Sequence, residues 1–156
     1  MRSRFFPVTH MIELSHSNIY KLVTNSAMAA LEKLGPYQNE KCYENFMCDY
    51  LFDRDVPYQK QKETMFISDN NMTRTGPCDI LIARRAVVEL KVAVSGIIPQ
   101  HVHQALRYGK SLQTQYKSQL DGTMLVLVVN FMTPPNKPAV VQIWNNRTNK
   151  IVTKCL

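Results

Sequence analysis

Two short apolar runs constrain this chain most: Cys78-Asp79-Ile80-Leu81-Ile82-Ala83 and Val87-Val88-Glu89-Leu90-Lys91-Val92. Both have the length and residue types of buried strands. Both also carry charge. Successive strand side chains point to opposite faces, so Glu89 and Lys91 share one face while Val88, Leu90 and Val92 take the other. A carboxylate and an ammonium within such a run are costly to bury unless paired or bound to something. A hairpin turning near Arg84-Arg85 brings Asp79 beside them. Two carboxylates and a lysine then converge on one place, a set suited to a hard divalent cation.

Size and charge narrow the class. A chain of 156 residues is long enough for one domain with a proper core. We expect a single domain over residues 1–156, with an N-terminal arm at 1–16 and a C-terminal tail at 147–156. No apolar run is long enough to span a membrane. The basic start Met1-Arg2-Ser3-Arg4 lacks the sustained apolar stretch of a secretory signal, so an intracellular protein, cytoplasmic or nuclear, is expected. A formal net charge of +7 favours polyanionic partners. Cys42, Cys48, Cys78 and Cys155 form no CxxC pair, which argues against a structural zinc site and a disulfide scaffold. Reduced thiols in an intracellular compartment are the simpler reading.

Periodicity supplies the order of elements. Ile19, Leu22, Val23, Ala27, Ala30, Leu31 and Leu34 follow helical spacing, with Ser17 as N-cap and Gly35-Pro36 as the stop. A second helix runs from Asn39 to Phe52, capped by Asn39 and with Glu40 complementing the dipole. Tyr58 to Ser68 alternates as a strand and turns at Asp69-Asn70-Asn71. Gly76-Pro77 interrupts before the Asp79 strand. A third helix spans Pro99 to about Leu112. Asp121-Gly122 turns into Thr123 to Phe131, a continuous apolar strand buried on both faces. A proline-rich loop, Thr133 to Pro138, leads to a last strand, Ala139 to Trp144. The order is helix, helix, three strands, helix, two strands.

Taken singly, the chemical motifs are weak. A Glu-x-Lys on a strand is usually a solvated ion pair. Glu40 is accounted for as a first-turn acid, with Tyr43 on the same face. Gln104 and Tyr108 are one turn apart and read as polar residues at the edge of a buried face. His101 and His103 point away from each other on a helix, so shared metal ligation is not expected.

Together, these residues resemble the GxxExxY proteins, a branch of the PD-(D/E)xK nuclease superfamily, over roughly Ala27 to Trp144. The name motif reads Leu34-Gly35-Pro36-Tyr37-Gln38-Asn39-Glu40-Lys41-Cys42-Tyr43, with Tyr37 standing where the family has glycine. The metal motif reads Asp79, nine residues, then Glu89-Leu90-Lys91. Gln104 and Tyr108 match the helix signature, and Asn130-Phe131 follows the buried strand. Glycine reaches backbone angles that tyrosine resists, so Tyr37 bears on the turn before Glu40.

The resemblance implies a restriction-endonuclease-like α/β core, a central mixed sheet flanked by helices. It implies a Mg²⁺-dependent endonuclease or exonuclease, with Mn²⁺ as a substitute ion. Asp79 and Glu89 would hold the metal, with the Leu90 carbonyl and Glu40 as further ligands. Lys91 would position the nucleophile or stabilise developing charge, and Gln104 would orient water or phosphate. Lys60, Lys62, Arg74, Arg84, Arg85, Arg107 and Tyr108 are candidates for nucleic-acid contact, and they read equally well as ordinary solvated or edge residues. The expected partner is nucleic acid, DNA favoured over RNA, with a homodimer compatible and no membrane. The competing reading is a non-catalytic nucleic-acid-binding or protein-interaction module that keeps the fold.

Overall fold

Helix ends are set by short polar side chains. The computed structural model describes residues 14–67, 70–116, 124–132, 138–145 and 150–151. Helix α1 covers His16–Leu34. Its cap is Ser15 rather than Ser17: the Ser15 side chain accepts from the Asn18 N–H at 3.1 Å. Both serines can cap; starting at Ser15 also lets its carbonyl accept from the Ile19 N–H at 2.9 Å. Gly35, at φ +77°, ends the helix, and its N–H donates to the Leu31 carbonyl. Helix α2 covers Glu40–Asp53 and is capped by Asn39, whose side chain accepts from the Cys42 N–H at 2.9 Å.

The strands are β1 (Tyr58–Ile67), β2 (Thr73–Ile82), β3 (Ala86–Lys91), β4 (Leu125–Asn130), β5 (Ala139–Asn145) and β6 (Lys150–Ile151). Helix α3 (Pro99–Tyr116) lies between β3 and β4 and runs one turn beyond its expected end. Among the described residues, these strands form one sheet in the order β1-β2-β3-β4-β5-β6. Neighbours are antiparallel except β3 and β4, which are parallel and need the α3 crossover.

Two expectations are corrected here. Gly76-Pro77 does not interrupt β2, which pairs with β1 straight through those residues. Strand β3 covers only Ile80–Ile82 of β2, so the first half of β2 has one neighbour and tolerates proline. The polar tail is not all tail, because Lys150–Ile151 adds β6 against Trp144 and Asn145. Asn70 and Asn71 lie in the turn after β1 as expected, while residues 1–13 of the arm, Ser68, Asp69, the turn at 121–122, residues 133–137 of the proline-rich loop and Cys155 lie outside the described residues.

Burial divides by sheet face. Ile80, Ile82, Val88, Leu90, Leu125, Leu127 and Val129 pack with α1 and α2. Leu81, Val87, Val126 and Val128 pack with α3. Strand β4 is buried along its whole length, as its unbroken apolar run requires. Full burial of each such side chain contributes about 1.5–3 kcal/mol. Helix α3 lies close to the sheet because of Gly109, where an added Cβ would fall 2.1 Å from Val126 Cγ2. Among the described residues, no helix is long and apolar enough to cross a membrane.

Candidate active site

The β2–β3 hairpin begins as a regular ladder at its turn, with Ile82 opposite Ala86 and Ile80 opposite Val88. One residue further, side chains take over from the backbone. The Asp79 N–H donates to Glu89 Oε1 at 3.2 Å, and the Leu90 N–H donates to Asp79 Oδ2 at 2.7 Å. Each carboxylate thus accepts from an N–H of the opposite strand. The two acids expected from the sequence do meet on adjacent antiparallel strands.

Their faces are less simple than alternation suggested. Cys78 and Leu81 both pack on the α3 side, although strict alternation over three residues would separate them. The phase slips at Asp79. Opposite it, Gln61 has φ +53°, and the β1–β2 register skips the Gln61–Asp79 pair alone. Asp79 therefore leaves the simple in-or-out pattern and lines a cleft on the α2 side with Glu40, Glu44 and Gln61. The cleft has a volume of about 720 Å³. Glu89 has the strand parity of Val87, which packs with α3, and its Oε1 reaches across to the Asp79 N–H.

Glu89 is 2% exposed. Burial, and then the neighbouring Asp79 carboxylate, push its carboxyl up to about 8; the Asp79 N–H and Lys91 pull in the opposite direction. Lys91 donates to Gln104 Oε1 at 3.4 Å, and Gln104 Nε2 donates to the Tyr108 hydroxyl at 3.4 Å. Gln104 thus holds the lysine from α3. The Cys78 thiol is pushed up to about 12 by burial and by Glu89 and Asp79, which keeps it from acting as a nucleophile.

Helix α2 contributes two acids. Glu40 is exposed in its first turn and lines the cleft. Glu44, one turn later, is 3% exposed and went unnoticed in the sequence. Burial raises its pKa, and a hydrogen bond from Gln61 opposes that rise. Gln61 Nε2 donates both to Glu44 Oε2 at 2.9 Å and to Asp79 Oδ1 at 3.2 Å. Gln61, in the polar run Gln59-Lys60-Gln61-Lys62-Glu63, carried no sequence signal.

The turn before Glu40 is clamped by Tyr43. Its hydroxyl donates to the Gly35 carbonyl at 2.7 Å and accepts from the Gln38 N–H at 3.3 Å. Its ring stacks on Phe131, centroids 4.0 Å apart. Tyr37 does adopt the left-handed conformation, at φ +65°. Asn130 joins the ends of β3 and β4: its side chain accepts from the Ala93 N–H and donates to the Ala93 carbonyl, both at 3.0 Å. The four sequence motifs therefore meet around the same strand ends.

The expected phosphate contacts fare unevenly. Arg85 is buried and its guanidinium donates to the Leu14 carbonyl at 2.8 Å, so it braces α1 and cannot meet a phosphate. Tyr108 is buried beneath Gly76, where an added Cβ would fall 2.7 Å from its hydroxyl; it too is removed from the nucleic-acid surface. Arg84 lies over the Tyr116 ring in the β2–β3 turn, at the end of the hairpin away from Glu89. Lys60 is exposed and donates to Asn45 Oδ1. Lys62 and Arg107 are half-buried. Arg74 lies in β2 opposite Phe66, and its side chain is outside the described residues. His101 Nδ1 accepts from the Ile98 N–H, and His103 is exposed.

A model of the PD-(D/E)XK nuclease superfamily matches residues 17–141. The chain belongs to the PD-(D/E)XK nuclease superfamily. Its mixed sheet flanked by helices is the restriction-endonuclease-like α/β fold. No curated protein gives a significant match. PD-(D/E)XK nucleases generally use divalent metal ions, usually Mg²⁺. Among the described residues, no group of three or more His, Cys, Asp or Glu side chains is gathered into a ready metal cage. The donors nonetheless suit a hard cation. They are all oxygen. Glu44 Oε1 is buried without a hydrogen-bond partner, and Lys41 Nζ is 3.9 Å away.

Proposed function

We propose that this protein is a metal-dependent nuclease of the GxxExxY type that hydrolyses phosphodiester bonds, with DNA as the favoured substrate. The observation that carries this reading is the exchange between Asp79 and Glu89 across the open end of the β2–β3 ladder. Two carboxylates on rigid strands, with Lys91 two residues beyond, form a site that packing does not require. Asp79, Glu89 and the Leu90 carbonyl would hold Mg²⁺ or Mn²⁺, with a helix acid, Glu40 or Glu44, completing the oxygen set. The cation would supply Lewis-acid charge at the phosphate.

The chain's own residues do the rest. Lys91 sets an ammonium beside the attacked phosphate, and Gln104 fixes its direction from α3. Burial of Glu89 excludes water from one side of the site. Lys60, Lys62, Arg74 and Arg107 are the remaining candidates for backbone phosphates.

The test is a cleavage assay on DNA and RNA strands and duplexes with Mg²⁺, Mn²⁺ or EDTA. Cleavage that needs the cation and disappears in Glu89→Gln supports the reading. Tight, salt-dependent binding without turnover would instead identify a non-catalytic nucleic-acid-binding protein.

A further inference from the structure

We propose that Gln61 is a positioning residue that presets the Asp79 carboxylate for a divalent cation, using Glu44 as its anchor. This rests on the nuclease reading only in the identity of the site.

The backbone supplies the first observation. Strand β1 pairs with β2 from Tyr58–Ile82 to Ile67–Thr73 and omits one step, Gln61 with Asp79. Gln61 sits there at φ +53°. A non-glycine residue held at left-handed angles is strained, because its Cβ crowds the following carbonyl oxygen. Strand interiors offer no reason to adopt them, and such strain clusters where function requires it. Opposite it in β2, the side-chain phase slips at Asp79 and its carboxylate lines the cleft beside α2.

The side chain supplies the second. A primary amide has two N–H bonds, and those of Gln61 go to Glu44 Oε2 and Asp79 Oδ1. The other Asp79 oxygen takes the Leu90 N–H. Both oxygens are therefore fixed, one by backbone and one by an amide anchored on a buried acid. The chemistry of glutamine matters here. A lysine would reach the same two carboxylates but would neutralise the charge that attracts a cation. A glutamate would add a third repelling charge and donate nothing in its ionised form. The neutral amide holds both acids in place and leaves their charge available. Glutamine is also long enough to bridge from β1 to α2.

The distinguishing variant is Gln61→Gly, because glycine accepts the left-handed backbone. Relief of the backbone strain offsets part of the stability lost with the Glu44 hydrogen bond, so thermal stability should fall less than in Gln61→Ala while cation binding weakens as much. Loss of a residue that orients a metal ligand typically costs about 10–100-fold in affinity. Mn²⁺ affinity, followed by calorimetry and by the electron paramagnetic resonance of free Mn²⁺, should fall by that factor. The Mg²⁺ concentration giving half-maximal cleavage should rise in parallel, with the maximal rate less affected. Gln61→Asn keeps the amide but is one methylene short, and should also bind Mn²⁺ weakly. Unchanged Mn²⁺ affinity in both variants would overturn the inference, as would a loss of affinity that only tracks a loss of stability. Wild-type protein that binds no Mn²⁺ would overturn it too. Wild-type protein that binds Mn²⁺, with an affinity that Gln61→Gly and Gln61→Asn weaken, but that cuts nothing would support the inference and sink the nuclease reading.

Discussion

The two ends of the β2–β3 hairpin are made from the same strands and obey different rules. At the turn end, Ile80, Leu81 and Ile82 pair in regular register with Val88, Val87 and Ala86, and every side chain is buried and apolar. At the other end, Asp79 and Glu89 replace ladder bonds with carboxylate-to-backbone bonds, and Glu89 is buried as an acid. Packing explains the first end completely. It does not explain the second, where hydrophobic residues of similar size would cost less to bury. The regular end supplies rigidity; on the proposed nuclease reading, the irregular end uses it to hold charge for a substrate and its cation.

Opposite consequences of mutation at the two ends would make this contrast sharpest. Glu89→Gln should abolish cleavage while leaving the metal-free fold as stable or more so. Ile80→Ala should do the reverse: it should cost about 2–5 kcal/mol of stability and leave cation-dependent cleavage in the folded fraction. Urea unfolding together with cleavage rates would check both. If Glu89→Gln unfolds the protein, its carboxylate is part of the core and the two ends do not differ in kind.

Lys91→Ala tests the chemistry at the open end more narrowly. Removing one preorganised electrostatic group typically costs roughly 3–4 kcal/mol of transition-state stabilisation, about a hundred- to thousandfold in rate. Mn²⁺ binding should survive, so the variant separates rate from affinity. An unaltered rate constant in single-turnover cleavage would remove Lys91 from the mechanism.

The pH dependence of the metal-free protein carries a defined sign. Burial, and then Asp79, raise the Glu89 carboxyl from 4.5 to about 8 in the folded state. Between those values the folded chain keeps a proton that the unfolded chain has released. The contribution of Glu89 to stability is therefore full below about pH 4.5 and lost as pH rises through about 8. Melting temperatures in EDTA should decline over that window, and Glu89→Gln should flatten the decline. Parallel profiles for the two proteins would show that Glu89 is not the buried acid described.

The smallest expected effect is at Tyr37, beside the cleft but outside the hairpin. Its left-handed backbone, clamped by Tyr43, is one a glycine would take without strain. Relief of strain and the larger unfolded-state entropy of glycine oppose each other, so Tyr37→Gly should change stability by about 1 kcal/mol or less. Chemical denaturation resolves this, and a large loss would mean the tyrosine side chain itself holds the turn.

Much of this was legible before any coordinates. Asn39 as a cap, the stop at Gly35, β4 buried on both faces and the pairing of Asp79 with Glu89 all follow from local rules: capping chemistry, glycine backbone freedom, and the period of two in strands. The same rules failed where distant segments decide. Proline at position 77 reads as a break, yet β2 runs through it because β3 is too short to cover that edge. Arg85 and Tyr108 read as candidate nucleic-acid contacts, yet the Leu14 carbonyl and the space against Gly76 claim them. Gln61 and Glu44 gave no signal, because their meaning lies in contacts across 17 residues of sequence. The sequence by itself determined the elements as far as β5, their order and the acids that break the apolar pattern, because periodicity and charge within a strand are local properties. Only the tertiary structure decided how those acids are held. The phase slip at Asp79, the left-handed Gln61 and the Glu44 anchor exist only once β1, β2 and α2 are packed together.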